Sequence, residues 1–393
     1  MTLSSAELAR YSRHVRLNRF GLEGQERLVQ SSVLVVGLGG LGSPAALYLV
    51  AAGVGKIGLA DFDVVAEHNL QRQIIHDTPS VGKSKVESAK AKISALNPHV
   101  EVIDHPEGVT VDTAPDLFAQ YDIIVDGSDN FSTRYLNNDA AVLAKKPLVY
   151  GSVFQFDGQV ALFDSAAGGP CYRCLFPELP EAGAVPSCDE AGVLGALCGW
   201  VGSMQALTAI KYLALPEERA SQIGCLHLID SWGMKVEELK IPKNPNCPIC
   251  GSDPSILELQ PAHYEFTCEV PAQAASVASM SQSITDPPLE IDIHTAKQWL
   301  EESPDQVELV DVREPFEFDI CQIEGSEKMP MGSVPEHIQE FSPDTTYVIQ
   351  CHHGGRSLRV TEFLRQNGLS RVTNMAGGID AWAVEIEPGM ARY

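Results

Sequence analysis

Two CxxC pairs, Cys171/Cys174 in PCYRC and Cys247/Cys250 in PNCPIC, lie far apart in this chain, with 72 residues between them. Cysteine thiolates bind zinc tetrahedrally, and one CxxC turn presents two of them at once. Four such ligands leave no open coordination position, so a zinc shared by both pairs has a structural role. It would staple the segment near 250 onto the body of the domain that carries Cys171. The competing readings of the same cysteines are a redox dithiol or plain buried thiols. Two further elements flank this frame: a glycine-rich loop, GLGGLG at 37–42, and a late loop, CHHGGRS at 351–357.

The stretch 32–54, SVLVVGLGGLGSPAALYLVAAGV, reads as a buried strand, a tight glycine turn and an apolar helix. In that turn Gly37 makes the bend, Gly39 lets backbone approach a phosphate, and Gly42 permits close helix packing. The helix N-terminus then faces the anion. Asp61, 19 residues after Gly42, stands where a ribose-binding acid is expected. On the loop alone the default reading is an NAD(P)-dependent oxidoreductase. Further strands are expected at 56–63, 100–107, 121–130 and 146–163, with helical patterning around 83–96. Strands alternating with helices predict an α/β, Rossmann-like, doubly wound and mainly parallel sheet covered on both faces. A loop is expected at 177–187 and a helix at 192–213.

At 393 residues the chain exceeds what one core usually holds, so at least two domains are expected. The texture changes after Cys250, where PAHYE, AQAASVASMSQS and DPP have a linker's composition. The boundaries read as a nucleotide-binding domain at 1–250, a linker at 251–287 and a smaller α/β domain at 288–393. The net charge of −24 argues against a nucleic-acid binder and against docking to anionic membranes. No apolar run spans a bilayer, the N-terminus lacks a secretory signal, and ten cysteines fit metal ligands and reactive thiols. A cytoplasmic location is the expectation.

Other residues pull away from the NAD reading. An acidic protein that binds a triphosphate must cluster local cations, and Arg72 and Lys85 are the candidates. Asp129, at the C-terminal end of a strand, sits where ligands collect on open parallel sheets and could hold magnesium or cap the next helix. In order along the chain, RYSRH, GLGGLG, DFD, NLQRQ, VGKSKVESA, SDN, CYRC, SCDEAGV and CPIC resemble the MoeB/ThiF branch of the ubiquitin-activating enzyme superfamily over about residues 7–251. The resemblance implies that ATP occupies the loop and that the C-terminal glycine of a ubiquitin-like sulfur carrier ending in Gly-Gly is adenylated. It implies that Gly40 lies against the nucleotide and that Asp61 holds the ribose. Asn69, Arg72, Gln73 and Lys85 would surround the phosphates, and Asp129, beside Asn130, would position magnesium. Arg13 resembles an arginine supplied across a homodimer interface. Cys188 stands where the family places a cysteine that can join the carrier's glycine. The family also carries a structural zinc at the corresponding cysteine pairs.

Cys351 follows an expected strand, TYVIQ, and precedes a helix opening near Ser357. Backbone N–H groups of such a loop converge on the sulfur, and the helix N-terminus favours a thiolate. Arg356 is expected to face the same pocket. Cysteine-dependent phosphatases place five residues between cysteine and arginine; four stand here, a loop sized for sulfur. With DVREPFEF at 311–318 and GGIDAW at 377–382, the loop resembles a rhodanese domain over about 288–393. Asp311 and Arg313 are expected to support the loop. One departure is ICQIEGS where many rhodaneses read GHIxGA, which bears on the pocket lining.

The reading is a fused sulfur-carrier adenylyltransferase and sulfurtransferase using ATP, magnesium and zinc. The linker would let the second domain swing towards the adenylate. The resemblance implies a cysteine desulfurase or another sulfur donor. Molybdenum cofactor synthesis is the first-choice pathway; tRNA thiolation, thiamine synthesis and protein conjugation are the alternatives. An oxidoreductase with a rhodanese appendage and a catalytically idle scaffold are the rivals.

Overall fold

The computed structural model describes residues 3–180, 192–264 and 283–392. The chain divides into two compact units, Met1–Glu269 and Val270–Tyr393. The first holds an eight-stranded sheet: β1 Ser32–Val36, β2 Lys56–Ala60, β3 Glu101–His105, β4 Ile123–Asp126, β5 Leu148–Phe154, β6 Asp157–Phe163, β7 Cys225–Asp230 and β8 Lys235–Lys240. Their order across the sheet is β3-β2-β1-β4-β5-β6-β7-β8. Strands β3 to β5 pair in parallel, whereas β6, β7 and β8 extend the sheet antiparallel. The expected mainly parallel α/β sheet is present; short turns that only antiparallel neighbours allow join β5 to β6 and β7 to β8, whereas β6 and β7 pair antiparallel across a long connection.

Both faces of β1 are buried, which is why its sequence is an unbroken apolar run. Val33 and Val35 enter one core with the helices Gly42–Ala52 and Gly195–Ala214, while Leu34 and Val36 enter the other with Ala114–Ala119 and Phe131–Leu143. Each wholly buried Val or Leu contributes about 1.5–3 kcal/mol. The chain runs from β1 to β2 and β3 on one side and returns to β4 on the other, so a crevice opens at the C-terminal ends of β1 and β4, where ligands bind in open α/β sheets.

The helix expected at 192–213 begins at Gly195, because Val193 bridges to Gln155 beside the end of β5. The stretch from 251 to 264, linker-like in composition, packs on the first unit. Ile256 and Tyr264 are buried, and Tyr264 Oη donates to Asp139 at 3.1 Å. Cys188, most of the expected loop at 177–187 and the core of the linker lie outside the described residues.

The second unit is a five-stranded parallel sheet of order β11-β10-β12-β13-β9: β9 Glu290–Ile291, β10 Val307–Asp311, β11 Glu327–Lys328, β12 Thr346–Gln350 and β13 Val372–Met375. β12 lies centrally and is buried throughout, so the loop after Gln350 opens at the middle of the sheet. Among the described residues no helix is long and apolar enough to cross a membrane.

Candidate active sites and metal centre

Gly37 takes φ +83°, a left-handed conformation that L side chains rarely adopt. A Cβ on Gly42 would collide with the Gly37 carbonyl, so the loop closes only with glycine at both positions. Asp61 braces the loop from the end of β2: its Oδ2 accepts the Leu38 N–H at 2.6 Å and its Oδ1 accepts the Asp63 N–H at 2.9 Å. His76, buried, holds the opposite side through Leu38 O at 3.1 Å and Ser88 Oγ at 2.9 Å. Burial keeps its pKa below the usual imidazole value.

Two adjoining hollows open at the crevice. Gly37, Gly39, Asp61, Lys85, Asp129 and Asn130 line the first. Gly39, Gly40, Arg72, Gln73, Asp129, Arg134 and Cys198 are among the residues lining the second. The structure thus gathers most of the residues singled out in the sequence. Lys85 Nζ lies 2.8 Å from Asp63 Oδ2, so this buried ammonium is partnered by an exposed carboxylate. Asp129 is exposed and lines both hollows; among the described residues no donor engages its carboxylate. The helix cap falls to its neighbour, since Asn130 Oδ1 accepts the Thr133 N–H at 2.8 Å. Asn69 lines neither hollow; its carbonyl accepts the Arg72 and Gln73 N–H groups and so sets the turn that presents them. Arg13 is exposed on the short helix Ser12–Val15 and lines neither hollow.

Two residues beneath the crevice, Asp126 and Arg134, escaped the sequence reading. Asp126, wholly buried at the end of β4, accepts from Ser128 N–H at 3.0 Å, Ser128 Oγ at 2.6 Å and Asn137 Nδ2 at 3.1 Å, all through Oδ1. Burial raises its pKa. Cys198, buried in the core with its apolar helix, also borders the nucleotide loop. Arg134 shares that wall. Only the buried DG step before SDN hinted at Asp126.

The cysteine pairs meet as expected. Cys171, Cys174, Cys247 and Cys250 place their sulfurs within 4.8 Å of one another. Cys171–Cys247 and Cys174–Cys250 are 3.5 and 3.4 Å apart. Zinc bound tetrahedrally by four thiolates would set its ligands about 3.8 Å apart, so the cluster is sized for it. The N–H groups of Cys171 and Asn244 point at Cys174 Sγ, at 3.5 and 3.4 Å. Next to the cluster, Arg173 forms a buried two-bond pair with Asp139.

In the second unit Cys351 is buried at the end of β12, before the helix Gly355–Gln366. Gly354 N–H and Ser357 Oγ both donate to its sulfur at 3.2 Å. Its carbonyl accepts the Ile379 N–H, and a Cβ on Gly378 would clash with that carbonyl, which accounts for the GG of GGIDAW. Asp311 and Arg313 form a wholly buried ion pair, and Arg313 also donates to Glu317 O and Cys321 O. The Arg356 guanidinium pairs with both oxygens of Glu317, at 2.6 and 2.7 Å. Its charge is therefore matched by a carboxylate that the sequence reading did not single out.

Comparison with known proteins agrees with this geometry. The ThiF family matches residues 11–249 and the rhodanese-like domain matches 292–385. A probable adenylyltransferase/sulfurtransferase MoeZ of Mycobacterium tuberculosis is 44% identical over all of this chain and 96% of its own length. Adenylyltransferase and sulfurtransferase MOCS3 of Aedes aegypti is 38% identical over all of this chain and 90% of its own. In fold, the chain resembles Escherichia coli MccB, solved with ATP, at TM-score 0.54 and 22% identity over 63% of this chain and 75% of that one. The chain therefore belongs to the ThiF family, as an enzyme joining an adenylyltransferase domain to a C-terminal rhodanese-like sulfurtransferase domain.

Proposed function

We propose that this enzyme adenylates the C-terminal glycine of a ubiquitin-like sulfur carrier ending in Gly-Gly and then converts it to a thiocarboxylate. The observation that carries the reading is the convergence of Gly39, Asp61, Lys85, Arg72 and Asp129 on two joined hollows at the crevice of the sheet. One carboxylate oxygen of the glycine bonds to the α-phosphorus of ATP while the bond to the bridging oxygen breaks. The electron pair leaves with pyrophosphate. Such a reaction asks for alignment and for neutralised phosphate oxygens, which Lys85, Arg72 and the loop amides supply. Asp129 would hold magnesium, which adds positive charge at the phosphates. Asn69 and Gln73 position that shell, Asn130 flanks Asp129, and Arg13 reaches the site from the second subunit of a homodimer.

Cys351 carries the sulfur as a persulfide, whose outer sulfur attacks the acyl carbon and displaces AMP. A further thiol, for which Cys188 is the candidate, attacks the Cys351 sulfur of the resulting acyl disulfide; the thiocarboxylate leaves, and the Cys188–Cys351 disulfide that remains is reopened by an external dithiol reductant. The donor that loads Cys351 is a cysteine desulfurase or a like source of thiol-bound sulfur. Molybdenum cofactor synthesis is the pathway favoured, and the cytoplasm the compartment.

With ATP, a purified carrier and a persulfide donor, mass spectrometry should show one carrier oxygen replaced by sulfur. Cys351→Ala should abolish that product and leave pyrophosphate exchange at the wild-type rate. Loss of both activities in the variant would contradict separate centres for activation and sulfur transfer.

A further inference from the structure

Three arginines of the described chain are almost wholly buried in polar networks, and two of them have a carboxylate. Arg173 is paired with Asp139 and Arg313 with Asp311. The third, Arg134, is only 7% exposed, yet no carboxylate lies within ion-pairing distance of it among the described residues. Its contacts are neutral: one guanidinium nitrogen donates to Ser128 O at 3.3 Å, and the group lies 5.4 and 5.2 Å from the ring centres of Phe131 and Tyr150. Its Nε has no hydrogen-bond partner. Burying a cation without a counter-ion is costly. Aromatic faces recover only part of that cost.

The place of this cation, which forms no ion pair among the described residues, is informative. Arg134 lies one turn into the helix Phe131–Leu143 and lines the second hollow with Gly39, Gly40, Arg72 and Gln73. Gln73 is itself buried there, and its Oε1 also lacks a partner. Two unsatisfied polar groups, one of them a permanent cation, therefore border the same space as the nucleotide loop. Asp126 acts on Arg134 electrostatically without pairing with it: its Oδ1 is spent on Ser128 and Asn137, and its Oδ2 has no hydrogen-bond partner.

We infer that Arg134 is an anion-binding residue of the adenylation centre, donating through its guanidinium to an anionic oxygen at the reacting group. This rests on the adenylation reading above. The oxygen belongs either to the carrier's terminal carboxylate or to the α-phosphate, which share the chemistry a guanidinium recognises.

The test uses the full chain with a Gly-Gly-terminated carrier and compares Arg134→Lys and Arg134→Gln with wild type. Zinc content and melting temperature report folding, and Arg134→Lys keeps the buried charge should the glutamine variant fail to fold. Loss of an oxyanion donor lowers turnover by about 10²-fold, and that is the fall expected in kcat for pyrophosphate exchange in the glutamine variant. The lysine variant should fall less. Added guanidinium should restore part of the glutamine variant's rate, which repair of a structural defect would not do. If binding of a non-hydrolysable ATP analogue weakens in step, the phosphate is the partner. If nucleotide binding holds while the carrier's KM or kcat shifts, the carboxylate is. Folded variants with wild-type kcat, carrier KM and nucleotide affinity would overturn the inference. Absence of tail-dependent exchange in wild type would instead remove the adenylation reading on which it stands.

Discussion

The chemistry of this chain hangs on a few side chains whose charge is set by what surrounds them. In the second unit His352 stands next to Cys351, and burial pushes its pKa down to about 4, aided by His353, whose ring lies 3.9 Å away. Asp380 and Glu317 pull the other way, and Arg356 adds to the depression. The unfolded chain then binds more protons than the folded chain below the ordinary value of 6.5. Stability is fully present above that value and is lost as pH falls towards about 4. Melting temperature measured across this window should drop, and His352→Gln should flatten the slope. An unchanged slope in the variant would show that other groups govern it. The catalytic types were legible one residue at a time because each sits in a short motif: GLGGLG, SDN, CHHGGRS. Partners supplied from afar were not, as Glu317 shows. It stands 39 positions before the arginine it neutralises, and only folding brings them to 2.6 Å.

At the scale of elements, strands and helices were readable where a buried strand makes a continuous apolar run, as in β1 and β12. Their pairing was less so. Nothing local in GQVALF distinguishes an antiparallel β6 from one more parallel strand; the brevity of the turn after Phe154 does. The four-cysteine cluster, sized for zinc, is the other long-range device. Its cysteines come from the short helix region at 171–174 and the turn at 247–250, and the adjoining stretch to Tyr264 packs on the same body. A structural zinc in small domains contributes on the order of 10 kcal/mol, so Cys247→Ser should lower zinc to below one per chain and depress the melting temperature of the first unit. Metal analysis with scanning calorimetry checks this. Full zinc content in the variant, or an unshifted transition, would deny the four-cysteine assignment.

For the whole molecule the sequence divides labour between two units that each place one reactive centre at the C-terminal ends of parallel strands. One activates a carboxylate beside a glycine loop, and the other holds a sulfur between Gly354 N–H and Ser357 Oγ. With a net charge of −24 the protein must concentrate its cations where phosphate is to be held, and Lys85, Arg72 and Arg134 do so within one crevice. The central claim is that this crevice activates the tail of a carrier protein at the expense of ATP. ATP–pyrophosphate exchange with a purified carrier, with and without its terminal Gly-Gly, tests that claim most directly. Exchange that requires the intact tail is the predicted result; no exchange with any Gly-Gly-terminated carrier, or exchange indifferent to the tail, would contradict it.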